Sequence, residues 1–280
     1  MVELLCGEAP VASLTTCDGH SIPTAVSRPV CVGESVRSAY AARVNDPAGD
    51  ERPYIETRDL SLTTREGPVY AQVDLSFRRG RLAAVVGRSG SGRSALLLTL
   101  AGRMRGWTGS CRVAGYDAAA QAAELRDRSS LARIGNLVDL EPRLTVAESV
   151  TERALIDAMP LPRAGERFEV ACAALGGLDL PRRTLVGDLS SLDRTLLTVA
   201  LATLRPAELV VLDDAQRGLD AEQLGRLMTG LVGLVEAGTC VVVSVLEEAV
   251  LPGASDRHRL ERPPAETSPE PATAAVEESR

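Results

Sequence analysis

Lysine is missing from the whole 280-residue chain, so all 31 basic side chains are arginines. With the load of Ala, Gly, Pro and Val, this points to a GC-rich coding sequence rather than to an activity. Aromatic residues make up 2%, and the interior therefore has to be built from Leu, Val, Ala and Ile. Basic charge is in deficit: the net charge is -7 and the pI near 5.1, which argues against a nucleic-acid partner held on a basic face. No apolar run approaches the roughly 18–20 residues of a membrane-spanning helix. Close cysteine pairs are absent too. The six cysteines (Cys6, Cys17, Cys31, Cys111, Cys172, Cys240) are scattered, and His20 and His258 are the two histidines. No metal-ligand spacing results, and the cysteines read as unpaired thiols in a reducing compartment. The start, MVELLCGEAP, carries Glu3 where a secretory signal has basic residues, and its apolar stretch is too short for one.

What is present, 45% hydrophobic and 25% charged residues, is ordinary globular composition with room for one or two domains. Three regions separate. Residues 1–52 mix Pro, Gly, Ser, Thr and Cys without a sustained period, and are expected to be a poorly ordered extension. Residues 261–280 form an acidic, Pro-rich tail that cannot bury apolar surface. Between them, 53–260 alternates strand-like and helix-like segments, which predicts α/β architecture. Tyr54–Leu62 and Val69–Phe77 read as an antiparallel pair, and Arg81–Val86 as a short apolar strand. Arg93–Ala101 reads as a helix. The stretch 118–202 reads as mostly helical, broken by a short strand near Ile134–Val138. Leu209–Leu212 and Cys240–Val245 read as buried parallel strands.

Gly87-Arg88-Ser89-Gly90-Ser91-Gly92-Arg93-Ser94 follows a strand and opens a helix, the context a phosphate-binding loop requires. Glycines let the backbone wrap a phosphate, the helix N-terminus adds positive potential, and Ser94 can ligate Mg²⁺. Downstream, Glu208-Leu-Val-Val-Leu-Asp213-Asp214 is an apolar strand ending in two carboxylates. In a nucleotide-binding sheet Asp213 would hold Mg²⁺ through water and Asp214 would orient the attacking water.

With these motifs in order, the sequence resembles the ATP-binding subunit of ABC transporters over about Tyr54 to Leu260. Gly87–Ser94 is similar to the Walker A loop, and Leu144-Thr145-Val146 with Glu148 to the segment after the Q-loop. Leu189–Asp193 stands where the signature belongs, Leu209–Asp214 resembles Walker B, and Gly218-Leu219-Asp220 resembles the D-loop. The resemblance implies a P-loop NTPase cassette of the ABC type: a parallel-sheet core, an antiparallel β portion and a helical subdomain over about 118–204. It also implies ATP and Mg²⁺ as cofactors, with Ser190, Ser191, Leu192 and Asp220 on a face shared with a second ATP-binding domain. That second domain would be the same chain or a different one.

The departures fall on the chemistry. Arg93 replaces the Walker lysine with a bulkier, planar cation. Asp214 replaces the family's glutamate and withdraws the carboxylate by about 1 Å. Ser191 and Leu192 replace the two signature glycines, so the Leu192 side chain is expected to obstruct the approach of that loop to a phosphate, and Asp193 adds negative charge there. Leu246 stands where the switch histidine belongs, with His258 expected to face solvent. Asn136 or Asp139 is nearest to the Q-loop glutamine. The adenine-stacking aromatic would lie near Thr64, and Tyr70, the closest aromatic, is expected to pack within its strand.

Taken together, these residues predict an ATP-binding subunit that couples to a separate membrane permease, with hydrolysis weak or lost. Its place would be cytoplasmic, at the inner face of the membrane through that partner. The alternative, from another class, is a non-transport pseudo-ATPase acting as a nucleotide-gated interaction module.

Overall fold

The computed structural model describes residues 53–263. The expected N-terminal extension, most of the acidic tail, and Cys6, Cys17, Cys31 and His20 lie outside the described residues.

Two sheets organise the fold. The first is antiparallel, in the order β2-β1-β4-β5, with β1 (Ile55–Thr64), β2 (Gly67–Phe77), β4 (Trp107–Val113) and β5 (Tyr116–Asp117). β1 and β2 form the anticipated pair, Ile55 opposite Phe77 and Thr64 opposite Gly67. The alternation along β2 buries Tyr70, Val73, Leu75 and Phe77 on one face, as a half-covered antiparallel strand requires. Tyr70 packs inside, its hydroxyl 2.7 Å from Thr99 Oγ1.

The second sheet is parallel throughout, in the order β6-β7-β8-β3-β9. It contains β3 (Ala83–Val86), β6 (Ser129–Arg133), β7 (Leu209–Leu212), β8 (Cys240–Val245) and β9 (Asp256–Arg259). Every residue of β3, β7 and β8 is buried, because these strands are covered on both faces. On one face Val85, Val211 and Val242 pack with the antiparallel sheet and α1 (Arg93–Leu100). On the other, Ala84, Val210 and Val243 pack with α3 (Val146–Ile156), α4 (Leu161–Ala174), α5 (Ser191–Ala202) and α6 (Ala221–Glu236). A short α2 (Ala122–Arg128) precedes β6.

Two expectations need correction, and one strand is new. The strand placed near Ile134–Val138 is β6, five residues earlier; Ile134 and Val138 form only an isolated antiparallel bridge. β6 escapes notice because its sequence, SSLAR, is polar. Its buried Ser129 and Ser130 have partners, receiving hydrogen bonds from Arg103 at 2.6 Å and Arg153 at 2.9 Å, which removes the cost of burying them. β4 was not anticipated at all. Finally, His258 does not face solvent freely: it is half-buried on β9, which adds a parallel edge to β3.

Candidate nucleotide site

The C-terminal ends of β3, β7 and β8 converge, and each delivers one part of the site. From β3 the chain passes into Gly87–Ser94, anchored where the Gly87 amide donates to Val245 O at 3.1 Å. Gly92 caps α1 with φ +92°, and a Cβ there would meet Val69 O at 2.5 Å, so no other residue fits. Among the described residues, no side chain caps this helix. Among the described residues, the amides of Gly90, Gly92, Arg93 and Ser94 have no protein acceptor, and the buried Ser91 Oγ has no hydrogen-bond partner. Unpaired amides at a helix N-terminus are the donor set an anionic phosphate requires. Arg88, Ser89 and Gly90 form the exposed tip of the loop.

From β7 come Asp213 and Asp214. Asp213 is 1% exposed. It accepts from Ser94 Oγ at 2.5 Å, and from Ser244 Oγ on β8 through its other oxygen. The hydroxyl and carboxylate assigned to Mg²⁺ are thus side by side, and this pair of hard oxygen donors suits that cation. Asp214 sits at φ +46°, a left-handed conformation that costs a residue with a Cβ roughly 1–2 kcal/mol. Its amide donates to Ser244 Oγ at 2.8 Å and to Asp213 Oδ1 at 3.1 Å.

Two arginines close the arrangement. Arg93, 7% exposed, turns its Nη1 to the carbonyls of Gly87 and Val245. Its Nη2 pairs with Asp214 Oδ1 at 2.6 Å. Arg133, at the end of β6 and 6% exposed, donates to Asp214 O at 2.8 Å and reaches Asp213 O at 3.4 Å. Its Nη1 donates to Thr195 Oγ1 on α5 at 3.1 Å. Burial depresses the Arg133 pKa, against the opposing pull of Asp139 and the two site aspartates. Neither Arg133 nor Ser244 was anticipated. An arginine ending a polar strand and a serine inside an apolar one carry no motif, and only the tertiary packing brings them to the carboxylates.

The remaining motif residues are mostly helix caps. Thr145 and Glu148 form a reciprocal capping box on α3, and Asp220 and Gln223 form another on α6. Ser190 caps α5, accepting from Asp193 N at 3.0 Å and donating to Asp193 Oδ2 at 2.7 Å. Ser190, Ser191 and Asp220 are exposed, and a Cβ on Gly218 would lie 3.4 Å from Ser191 Oγ, so the two segments share one surface. Leu192 does not. It is 2% exposed and belongs to the helical core, because the first turn of α5 directs it inward; the expected obstruction by its side chain does not arise. Asn136 and Asp139 are exposed, and Leu246 is 44% exposed after β8.

A family model described as ABC transporter matches residues 70–217, just over half of the chain and both halves of this site. The chain belongs to the ABC transporter family. It is 33% identical over 208 residues to a ribose import ATP-binding protein of Rubrobacter xylanophilus, covering 70% of this chain and 38% of that protein. It is also 34% identical over 215 residues to the ABC transporter ATP-binding protein RamB of Streptomyces coelicolor, covering 74% and 33%. The chain thus spans about a third of the length of these relatives. Among solved ABC structures, cbiO1 from Clostridium perfringens superposes with a TM-score of 0.65 at 18% identity, covering 75% of this chain and 86% of that one. A bacterial ABC cassette solved as a dimer gives 0.61 at 20% identity, covering 74% and 94%. At that identity the likeness speaks to the fold, and the fold agrees with the P-loop ABC cassette. Among the described residues, no helix is long and apolar enough to cross a membrane.

Proposed function

We propose that the chain is an ATP-binding subunit that holds ATP and Mg²⁺ between Gly87–Ser94 and Asp213, and that it works with a separate membrane permease. Residues 53–260 would form the cassette, with the helical subdomain over about 118–204, and the permease would hold it at the inner face of the cell membrane. The observation that carries this reading is the set of unpaired loop amides beside the Ser94–Asp213 pair. Ser94 and Asp213 would hold Mg²⁺, which supplies charge neutralisation on the phosphates when bound. The loop amides would orient the phosphates. The exposed Ser190, Ser191 and Asp220 would face a second ATP-binding domain; a cassette that shares this fold was solved as a dimer.

Hydrolysis is proposed to be weak or lost. Asp214 is the shorter of the two carboxylic residues, and its carboxylate is engaged by Arg93 at 2.6 Å rather than left to orient water. The same pair favours a second reading, a pseudo-ATPase used as a nucleotide-gated interaction module.

Calorimetry with Mg²⁺ and ATP tests binding. Micromolar affinity that Arg93→Ala and Ser94→Ala both reduce is the expected result; no binding would leave a scaffold. A steady-state turnover of about 1–10 s⁻¹, abolished by Asp213→Ala, would overturn the claim of weak hydrolysis. Co-purification with a permease separates transport from the module.

A further inference from the structure

The Arg93–Asp214 pair is built asymmetrically. The guanidinium is shut in at 7% exposure, with Nη1 committed to two backbone carbonyls. The carboxylate that covers Nη2 is 38% exposed. The backbone of Asp214 is fixed at both ends, its amide on Ser244 and Asp213 and its carbonyl under Arg133. Its side chain, facing water, is tied among the described residues by Arg93 alone. Asp213, the other carboxylate at the site, is already taken by Ser94 and Ser244. The cation that a phosphate would seek is therefore held by an anion able to leave, beside loop amides that have no acceptor.

We infer that the Asp214 carboxylate is an internal counter-ion, a latch on Arg93 that an incoming oligophosphate must displace. A phosphate oxygen arriving at the same nitrogen meets the carboxylate as a like charge, so the two compete for one donor. The site then favours ligands carrying more negative charge than a single carboxylate. Once the ligand has replaced it on Arg93, the Asp214 oxygen that held the guanidinium is free to accept from a water instead. This inference rests on the nucleotide-binding reading.

The test compares the full chain with Asp214→Asn, Arg93→Ala and the double variant. Asparagine removes the charge and tolerates a φ near +46° better than most residues, so the corner keeps its shape. Binding of Mg²⁺·ATP and of inorganic tripolyphosphate is measured by calorimetry, and Tm is measured without ligand. The latch predicts that Asp214→Asn binds both ligands about threefold or more tightly, the scale set by a half-exposed ion pair. It also predicts that this gain disappears in the Arg93→Ala background, and that the Tm losses of the two single changes exceed that of the double. An unchanged or weakened affinity overturns it, as does an equal gain without Arg93 or a simple sum of Tm losses. If tripolyphosphate binds and ATP does not, the nucleotide reading fails while tripolyphosphate still decides the latch. If no variant binds either ligand, both fall.

Discussion

Arg133 shows how much rests on one side chain. It holds the carbonyls of Asp213 and Asp214 from a site with almost no access to water; without it Asp214 O keeps the Arg217 amide at 2.8 Å, but Asp213 O is stranded where solvent cannot replace the guanidinium. Arg133→Met is expected to lower stability by about 2–3 kcal/mol, the worth of hydrogen bonds from a buried charged donor, as read by urea denaturation. A loss under about 0.5 kcal/mol, the scale of an ordinary surface change, would mean the corner holds itself. The loop glycines offer a paired experiment. Gly90 and Gly92 both have positive φ, +77° and +92°, but a Cβ on Gly90 meets nothing within 4 Å while one on Gly92 runs into Val69 O. Gly90→Ala should therefore cost about 1–2 kcal/mol of backbone strain, and Gly92→Ala clearly more. Equal losses in thermal unfolding would mean that the β2 backbone yields.

Among the elements, those with uniform surroundings were readable from the sequence and those with mixed ones were not. β7 and, apart from Ser244, β8 are apolar on both faces and were located to the residue, since runs of Val and Leu need no partner to justify their burial. β4 follows half-buried Trp107 with exposed Thr108, Gly109 and Ser110 and buries only Cys111 and Val113 fully, too short an alternation to register. β6 needed Arg103 and Arg153 from other elements before its serines could go inside. The phosphate loop and both aspartates were legible for the opposite reason, that their spacing is local; Leu192 was misjudged because a motif position does not reveal which way a helix turns. Leu192→Ala should accordingly behave as a core truncation, costing about 2–5 kcal/mol in urea denaturation, and a variant as stable as the parent would place the side chain outside. β9 brings pH dependence. Burial depresses the His258 pKa against the pull of Asp74, so the unfolded chain takes up its proton first. Stability from this residue is present above the unfolded value near 6.5 and falls as pH drops below it. Asp256 on the same strand follows at lower pH: burial would raise its pKa, but the hydrogen bonds and charge of Arg78, with Arg81, outweigh that and lower it. Its contribution is lost only as pH falls below about 3.8 toward that depressed value. His258→Gln should flatten the first decline in chemical denaturation and leave the second.

Across the whole molecule, the parallel sheet is a wall shared by two apolar interiors, one roofed by the antiparallel sheet and the other by helices α3–α6. The proposed pairing of two such chains through the surface of Ser190, Ser191 and Asp220 would be driven by nucleotide held at the phosphate loops. Sedimentation should then show a shift from monomer to dimer with Mg²⁺ and ATP, lost in Ser94→Ala; a monomer at all nucleotide concentrations would favour pairing with a different chain. The wall also carries its own set of clocks. Cys111 lies in the first interior, Cys172 in the second and Cys240 on the sheet between them, all free, buried and pushed by burial to a thiol pKa of about 12. A protonated, enclosed thiol does not react with alkylating reagents, so each becomes modified only when its own surroundings open. Pulsed alkylation followed by mass spectrometry of the three peptides would read out whether the two interiors come apart together or in turn, using no label that the chain does not already contain.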